Sequence, residues 1–326
     1  MTSSDSQSDS SPYRLDLPPL ESCGVLNLHK PADWTSRDVV NYVERRVKKL
    51  KVGHAGTLDP LASGVLLIGV GKATKLLSYL TDLPKVYRGT LRFGMRTASA
   101  DLGGAVLEEV VPPVFAADEI DRAARSFVGG YDQLPPMVSA VKHEGKRLYH
   151  LARKGVEVER KPRRVDIHRF DILDYTSPRI DFEVECSKGT YVRALVEDLA
   201  ARLGTIATVE CLTRSAVGPH SIDDSQRLIS RPGSTRHGLR AGAIAMADAI
   251  GHLPAIELTA PQAERVRRGQ LPSRTELGTL PESPQGNGSI RLLGPDGHLL
   301  ALAKRSDLPG PADSEVDAMV SLDRVF

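Results

Sequence analysis

Cysteine is scarce: the chain has three in 326 residues. Cys23, Cys186 and Cys211 are odd in number and fit no zinc-ligand spacing, so they exclude a disulfide scaffold and read as reduced, buried or incidental residues. The nine histidines form no His-x-x-x-His pair or comparable cluster, so no metal is expected. Long apolar runs are missing too. No stretch approaches the roughly 18 residues needed to cross a bilayer, and the polar start MTSSDSQSDSS lacks the apolar core of a secretory signal. No membrane segment is expected, and a cytoplasmic location follows. Net charge is +2, too small by itself to announce a nucleic-acid partner.

The distribution of charge says more than its sum. Residues 37–51 hold six Lys/Arg against two acidic residues, and 142–169 hold ten against four, whereas 270–326 hold five basic and eight acidic residues. Basic character is thus gathered in two segments, the asymmetry a phosphate backbone requires. A solvated helix face would explain either cluster taken alone.

Hydrophobic residues make up 40% of the chain and charged residues 26%, a globular balance with length for one to three domains. Residues 1–22, rich in Ser, Asp and Pro, are expected to be disordered. GVLNLHK, Gly24 to Lys30, alternates like a strand, and Thr35-Ser36 opens a helix whose apolar residues recur through Val39, Val40, Val43, Val47 and Leu50. VLLIGV, Val65 to Val70, is a buried strand, followed by a helix from Lys72 to Leu80. GVGKAT, Gly69 to Thr74, fails as a phosphate loop, because Leu66 and Ala73 stand where that motif needs Gly and Ser or Thr. Strands are expected from Lys85 to Gly94 and from Arg179 to Cys186, a helix from Asp118 to Val128, and another helix opening at Thr190. From Pro254 onward, with a hairpin at Pro295-Asp296-Gly297, a small β-rich C-terminal domain is expected. The domain boundaries are therefore 1–22, 23–253 and 254–326.

The most informative stretch is GHAGTLDPLASG, Gly53 to Gly64. Pro60 biases Asp59 toward extended backbone, and Gly53, Gly56 and Gly64 permit angles or close approaches closed to other residues. Such a loop presents one side chain at a sheet edge; a surface Asx-turn would look similar.

This stretch resembles the signature of the TruB family, the tRNA pseudouridine synthases that modify uridine 55, at every fixed position. Further blocks agree in order: the Lys30-Pro31 block, the Lys-x-Tyr of KVYRGTLRFG, QLPPMVSAVKHEGKRLYHLARKG, SKGTYVRALVEDLAARLG and ECLTRSAVG. Asp33, Ala98 and Val138 depart from the family pattern. The resemblance implies an α+β pseudouridine synthase fold: a mixed, largely antiparallel sheet with flanking helices and a central active-site cleft, and a small C-terminal domain that is RNA-binding in bacterial relatives. It implies Asp59 as nucleophile and Arg193 as its ion-pair partner, with His54, Tyr87, Tyr191, Leu212 and Lys30 as substrate-binding residues. It implies the T-arm of tRNA as partner, no cofactor, no guide RNA and a monomer. A non-catalytic RNA-binding protein on the same fold is the rival reading, and the intact Asp59, Tyr87, Tyr191 and Arg193 count against it. A carboxylate glycosidase would need a second acid, and no paired-carboxylate motif is present.

The chemistry suits one carboxylate. The base is cut from ribose at N1, turned and rejoined through C5, so covalent attack on base or sugar by an aspartate splits one hard step into two. A guanidinium beside that aspartate favours its charged form against desolvation and, through its planar fork, aims it.

Overall fold

The computed structural model describes residues 23–47, 49–136, 142–143, 146–147, 160–228, 242–278, 281, 288–306 and 319–326. The expected disordered leader, Val138 and most of the 133–155 block lie outside these.

The larger part of the fold is built on one mixed sheet. β1 (Gly24–Lys30) pairs antiparallel with β3 (Ser63–Val70), which also carries the short β2 (Val52–Ala55). β4 (Lys85–Phe93), β10 (Arg163–Thr176), β11 (Arg179–Cys186) and β12 (Ala207–Val217) form its other half. With β5 (Met95–Thr97) and β6 (Val106–Glu109) forming a separate hairpin, and with β7 (Gly129–Gln133), β8 (Lys142–His143), β9 (Lys146–Arg147), β13 (His220–Ser221) and β14 (Gln226–Arg227), the strand order of the large sheet is β14-β1-β3-β12-β4-β11-β10-β7. Among the described strand pairs of this sheet, only β1–β14 and β3–β12 are parallel. This is the mixed, largely antiparallel sheet the resemblance implied.

β1 departs from the half-exposed strand its alternation suggested: all its residues but His29 are buried, Asn27 and Lys30 included. The reason is a core on each face. Leu26, Leu28, Leu66 and Ile68 enter one hydrophobic cluster, while Val25, Val65 and Leu67 enter the other. Each fully buried Leu or Ile stabilises the fold by roughly 1.5–3 kcal/mol. Toward β4, β11 and β10 one face is open. There Glu183 bonds both Arg88 and Arg169, and Arg179 pairs with Glu210 at 2.8 Å.

α1 (Ser36–Glu44) starts where expected, with Thr35 and Asp38 capping each other's backbone. It stops earlier than its apolar spacing suggested, because turns follow and Lys49 takes a left-handed φ of 65°; Val47 still reaches the core. The helix expected at Lys72 is a 3-10 turn, Gly71–Leu76, that runs into α2 (Leu77–Asp82). Gly71 enters it at φ 62°, and Thr74 Oγ1 donates to the Gly71 carbonyl at 2.8 Å, which tightens the turn. α3 (Ala117–Arg125) ends earlier than Val128. α4 (Val192–Arg202) has Tyr191 as its N-cap.

A second, four-stranded sheet holds β15 (Ala255–Glu257), β16 (Ser289–Leu293), β17 (Leu299–Ser306) and β18 (Met319–Val325), with its own apolar cluster around Ile290, Leu292 and Val266. The turn at 294–298 joins β16 to β17. Leu299 and Leu302 leave that cluster to pack with Leu76 and Leu80 below the large sheet's strands.

Candidate active site

The signature stretch is not all loop. Its first residues form β2, and the irregular part spans 56–62. That part is tied down at nearly every step. Ser36 Oγ accepts from Leu58 N at 2.8 Å and donates to Leu58 O at 3.1 Å. Pro60 O accepts from Asp33 N at 2.8 Å and from Lys30 Nζ at 3.2 Å. Gly56 O accepts from Arg214 Nη2 at 3.0 Å. Gly64, at φ 103°, lets β3 press against β12: a Cβ there would stand 2.2 Å from Arg214 O.

The backbone accounts for Asp33, one of the departures from the family pattern. Its φ of 66° is the left-handed conformation a glycine would supply, and aspartate is among the few side chains that tolerate it. The turn survives, and through its N–H it grips Pro60.

The loop delivers Asp59 to a cleft of about 270 Å³ lined also by Tyr87, Tyr191, Arg193, Leu212, Arg214 and Lys85. Arg193 Nη2 lies 2.8 Å from Asp59 Oδ2; the arginine side chain is 4% exposed and the aspartate 41%. A buried cation thus stands behind a carboxylate that opens into the cleft. The other arm of the guanidinium, Nη1, donates to the Ser99 carbonyl and lies 3.7 Å from Asp101 Oδ2. Asp101 is in turn fixed by Ser99 Oγ at 2.5 Å and Gly103 N at 3.0 Å. The 98–104 loop therefore keeps its place despite Ala98, whose side chain is exposed.

The aromatic walls come from two elements. Tyr87 sits on β4 beside Arg214 of β12, and Leu212 lies across from Gly89 in the same ladder. Burial pushes the Tyr87 phenol up. Tyr191 is clamped by Gln133, whose Oε1 accepts from Tyr191 N at 2.8 Å while its Nε2 donates to Tyr191 O at 3.1 Å.

Five expected site residues, Asp59, Tyr87, Tyr191, Arg193 and Leu212, share the cleft; Lys30 and His54 do not line it. Lys30 is corrected here from substrate contact to loop support. It is fully buried, and its ammonium donates to the carbonyls of Pro31 at 2.8 Å, Trp34 at 2.6 Å and Pro60 at 3.2 Å, which occupies all three donors. Burial lowers its pKa to about 8. His54 is half-buried on β2, paired with Ile68 of β3. Burial first, then Arg214 and Arg37, lower its pKa, so it is neutral at pH 7.

Sequence reasoning missed Arg214, Lys85 and Gln133. A signal existed for Arg214: it stands two residues beyond Leu212, on the same face of a strand. Lys85 Nζ donates to Thr81 O and Leu83 O, and burial, with Arg214 next, lowers its pKa to about 8.

Four histidines, His29, His54, His220 and His252, have pKa values below the ordinary one, with burial the largest cause in each. The unfolded chain therefore binds more protons as pH falls through about 6.5, so their contribution is complete above that value and is lost below it. The melting temperature should hold from pH 8 to 7 and fall from 6.5 to 5, more gently in His220→Gln. A flat profile between pH 7 and 5 would contradict this.

Among the described residues no helix is long and apolar enough to cross a membrane, and no cluster of His, Cys, Asp and Glu could hold a metal. Residues 44–192 match the family described as TruB family pseudouridylate synthase (N terminal domain). Curated relatives named tRNA pseudouridine synthase B include one from Syntrophobacter fumaroxidans, 42% identical over 287 residues, covering 86% of this chain and 93% of that protein. Another, from Thermobifida fusca, is 41% identical over 295 residues, covering 86% and 94%. Among solved structures, one titled "Crystal Structure of a Cbf5-Nop10-Gar1 Complex" aligns with a TM-score of 0.71 at 23% identity, over 93% of this chain and 84% of that one.

Proposed function

The chain belongs to the TruB family of pseudouridylate synthases and isomerises uridine to pseudouridine in tRNA; from this premise we propose that Asp59 is the nucleophile and that its target is uridine 55 in the T-loop. The observation that carries the reading is the 2.8 Å contact between the buried Arg193 and the Asp59 carboxylate that faces the cleft.

The target nucleotide leaves its stack, at a cost of a few kcal/mol, and its base is held against the Tyr87 ring. Stacking on an aromatic is worth about 1–3 kcal/mol per base, enough to offset much of that cost. Tyr191 and Leu212 wall the pocket. Asp59 adds covalently to the nucleotide. The C1′–N1 bond breaks, the base turns, C1′–C5 forms, C5 gives up its proton, N1 gains one, and the carboxylate is released. Arg193 aims the carboxylate and is itself held by Ser99 and Asp101. His54, outside the cleft lining, meets the RNA flanking the extruded nucleotide.

The 254–326 sheet serves as a small RNA-binding appendage to the 23–253 catalytic domain. In this reading the protein acts in the cytoplasm as a monomer on tRNA, without a guide RNA; the acidic balance of 270–326 supports the last of these. The test is position-resolved mapping of pseudouridine in an unmodified tRNA transcript after incubation with the purified protein. One new pseudouridine in the T-loop is expected, and none when that uridine is replaced by cytidine. Product at other uridines only would overturn the assignment of position.

A further inference from the structure

Arg214 is the largest fully buried side chain among the described residues, 1% exposed. Its backbone pairs with Gly64 of β3 on one side and Tyr87 of β4 on the other. Its guanidinium spans the site beneath the cleft: Nε donates to Val65 O at 2.7 Å, Nη2 to Gly56 O at 3.0 Å, and Nη1 lies 3.5 Å from the Tyr87 hydroxyl. Two of those partners belong to the working parts. Gly56 begins the loop that carries Asp59, and Tyr87 is the ring of the pocket.

We propose that Arg214 is a positioning residue of the reaction: one buried guanidinium sets the spacing between the loop that carries Asp59 and the tyrosine ring against which the base is held. Planarity is the reason an arginine can do this. Its donors point in fixed directions within one plane, so bonds to Gly56 and contact with Tyr87 cannot be kept while the two drift apart. A lysine keeps the charge but places one compact ammonium, which cannot serve Val65, Gly56 and Tyr87 together. Gly56 is required by its φ of 82° and not by space, since a Cβ there would make ordinary contact with Arg214 Nη1 at 3.5 Å. Among the described residues no ion pair involves Arg214, so carbonyl dipoles and the phenol meet its charge. After burial, the Arg214 charge is the next cause that lowers the pKa values of Lys85 and His54.

The inference rests on the functional reading above, and its test separates the two. Single-turnover rate and tRNA dissociation constant are measured for wild type, Arg214→Lys, Tyr87→Phe and the double variant. Arg214→Lys should lose roughly 30- to 100-fold in rate, since small misplacements of reacting groups are this costly, while its tRNA affinity stays within about threefold. Tyr87→Phe keeps the ring and drops only the hydroxyl; it should slow wild type severalfold yet add nothing to Arg214→Lys, the mark of two groups acting as one. A merely structural arginine would lower the melting temperature and leave the rate per folded molecule unchanged, and that result overturns the inference. Should Arg214→Lys fail to fold, Tyr87→Phe decides: a wild-type single-turnover rate there overturns it. Wild-type protein that makes no pseudouridine would sink the functional reading instead.

Discussion

Asp59→Asn should abolish turnover while tRNA binding stays within severalfold. The amide has nearly the same shape, so the loop that Ser36, Asp33, Lys30 and Arg214 hold in place is not disturbed. What it lacks is a negative oxygen that can form and release a covalent bond. Removing a nucleophile whose function no neighbour can assume costs on the order of 10⁴-fold or more. No second carboxylate stands ready: Asp101 faces the far arm of Arg193 and is 9% exposed, behind the guanidinium and away from the opening that leaves Asp59 41% exposed. Rapid-mixing assays of pseudouridine formation, run beside filter-binding titrations, check both halves. Comparable rates for the two proteins would remove Asp59 from the mechanism.

Arg193→Ala should cost on the order of 100-fold or more in rate, with affinity changed far less. Two carboxylates, Asp59 and Asp101, would face a hole where the cation had been. Breaking a pair by removing one buried partner is much costlier than never having built it, because the remaining charges lose their compensation. Aim is lost as well, and an error of about 1 Å in a reacting group can cost roughly 100-fold. Arg193→Lys should recover part of the rate, since an ammonium restores charge without bridging Asp59 and Ser99 together. Basic residues outside the cleft behave differently. Phosphate contacts enter the affinity and its salt slope, so a loss at Arg193 confined to affinity would refute the orienting role.

Much of this site was legible before any coordinates, and the reason is local. The Asp59 loop is a contiguous run that matches the family signature at every fixed position, although its glycines, proline and carboxylate alone would also suit a surface Asx-turn, and the buried strand after it shows as an unbroken apolar run. Tyr191 and Arg193 were marked by the resemblance of SKGTYVRALVEDLAARLG to its family block, since a tyrosine and an arginine where a strand gives way to a helix are ordinary by themselves. What escaped were roles that exist only across the sheet. Arg214 looks like an ordinary charged residue within ECLTRSAVG, because the carbonyls of Gly56 and Val65 that satisfy it belong to a different part of the chain. Lys30 was misread for the same reason. Its acceptors at Pro31 and Trp34 are near in sequence, but the one that gives it a purpose, Pro60, comes from the loop it supports. Helix ends also resisted. The apolar spacing through Leu50 describes a face that stays on the core, whether the backbone beneath it is helix or turn.

The fold and the chemistry fit one another through the order of three strands. β3, β12 and β4 lie side by side, so Gly64, Arg214 and Tyr87 share one row. The loop that carries Asp59 enters at one end of that row, and the Tyr87 ring stands at the other. α4 begins at the mouth, where Gln133 fixes Tyr191 and the first turn carries Arg193.

The most direct test of this arrangement is a crystal structure of Asp59→Asn bound to a T-arm RNA. The expected result is a single uridine turned out of the loop, its ring against Tyr87 and its glycosidic carbon within contact distance of residue 59, with Arg193 still beside the amide. A uridine left stacked in the RNA, with the cleft untouched and the RNA bound on another face, would contradict the account.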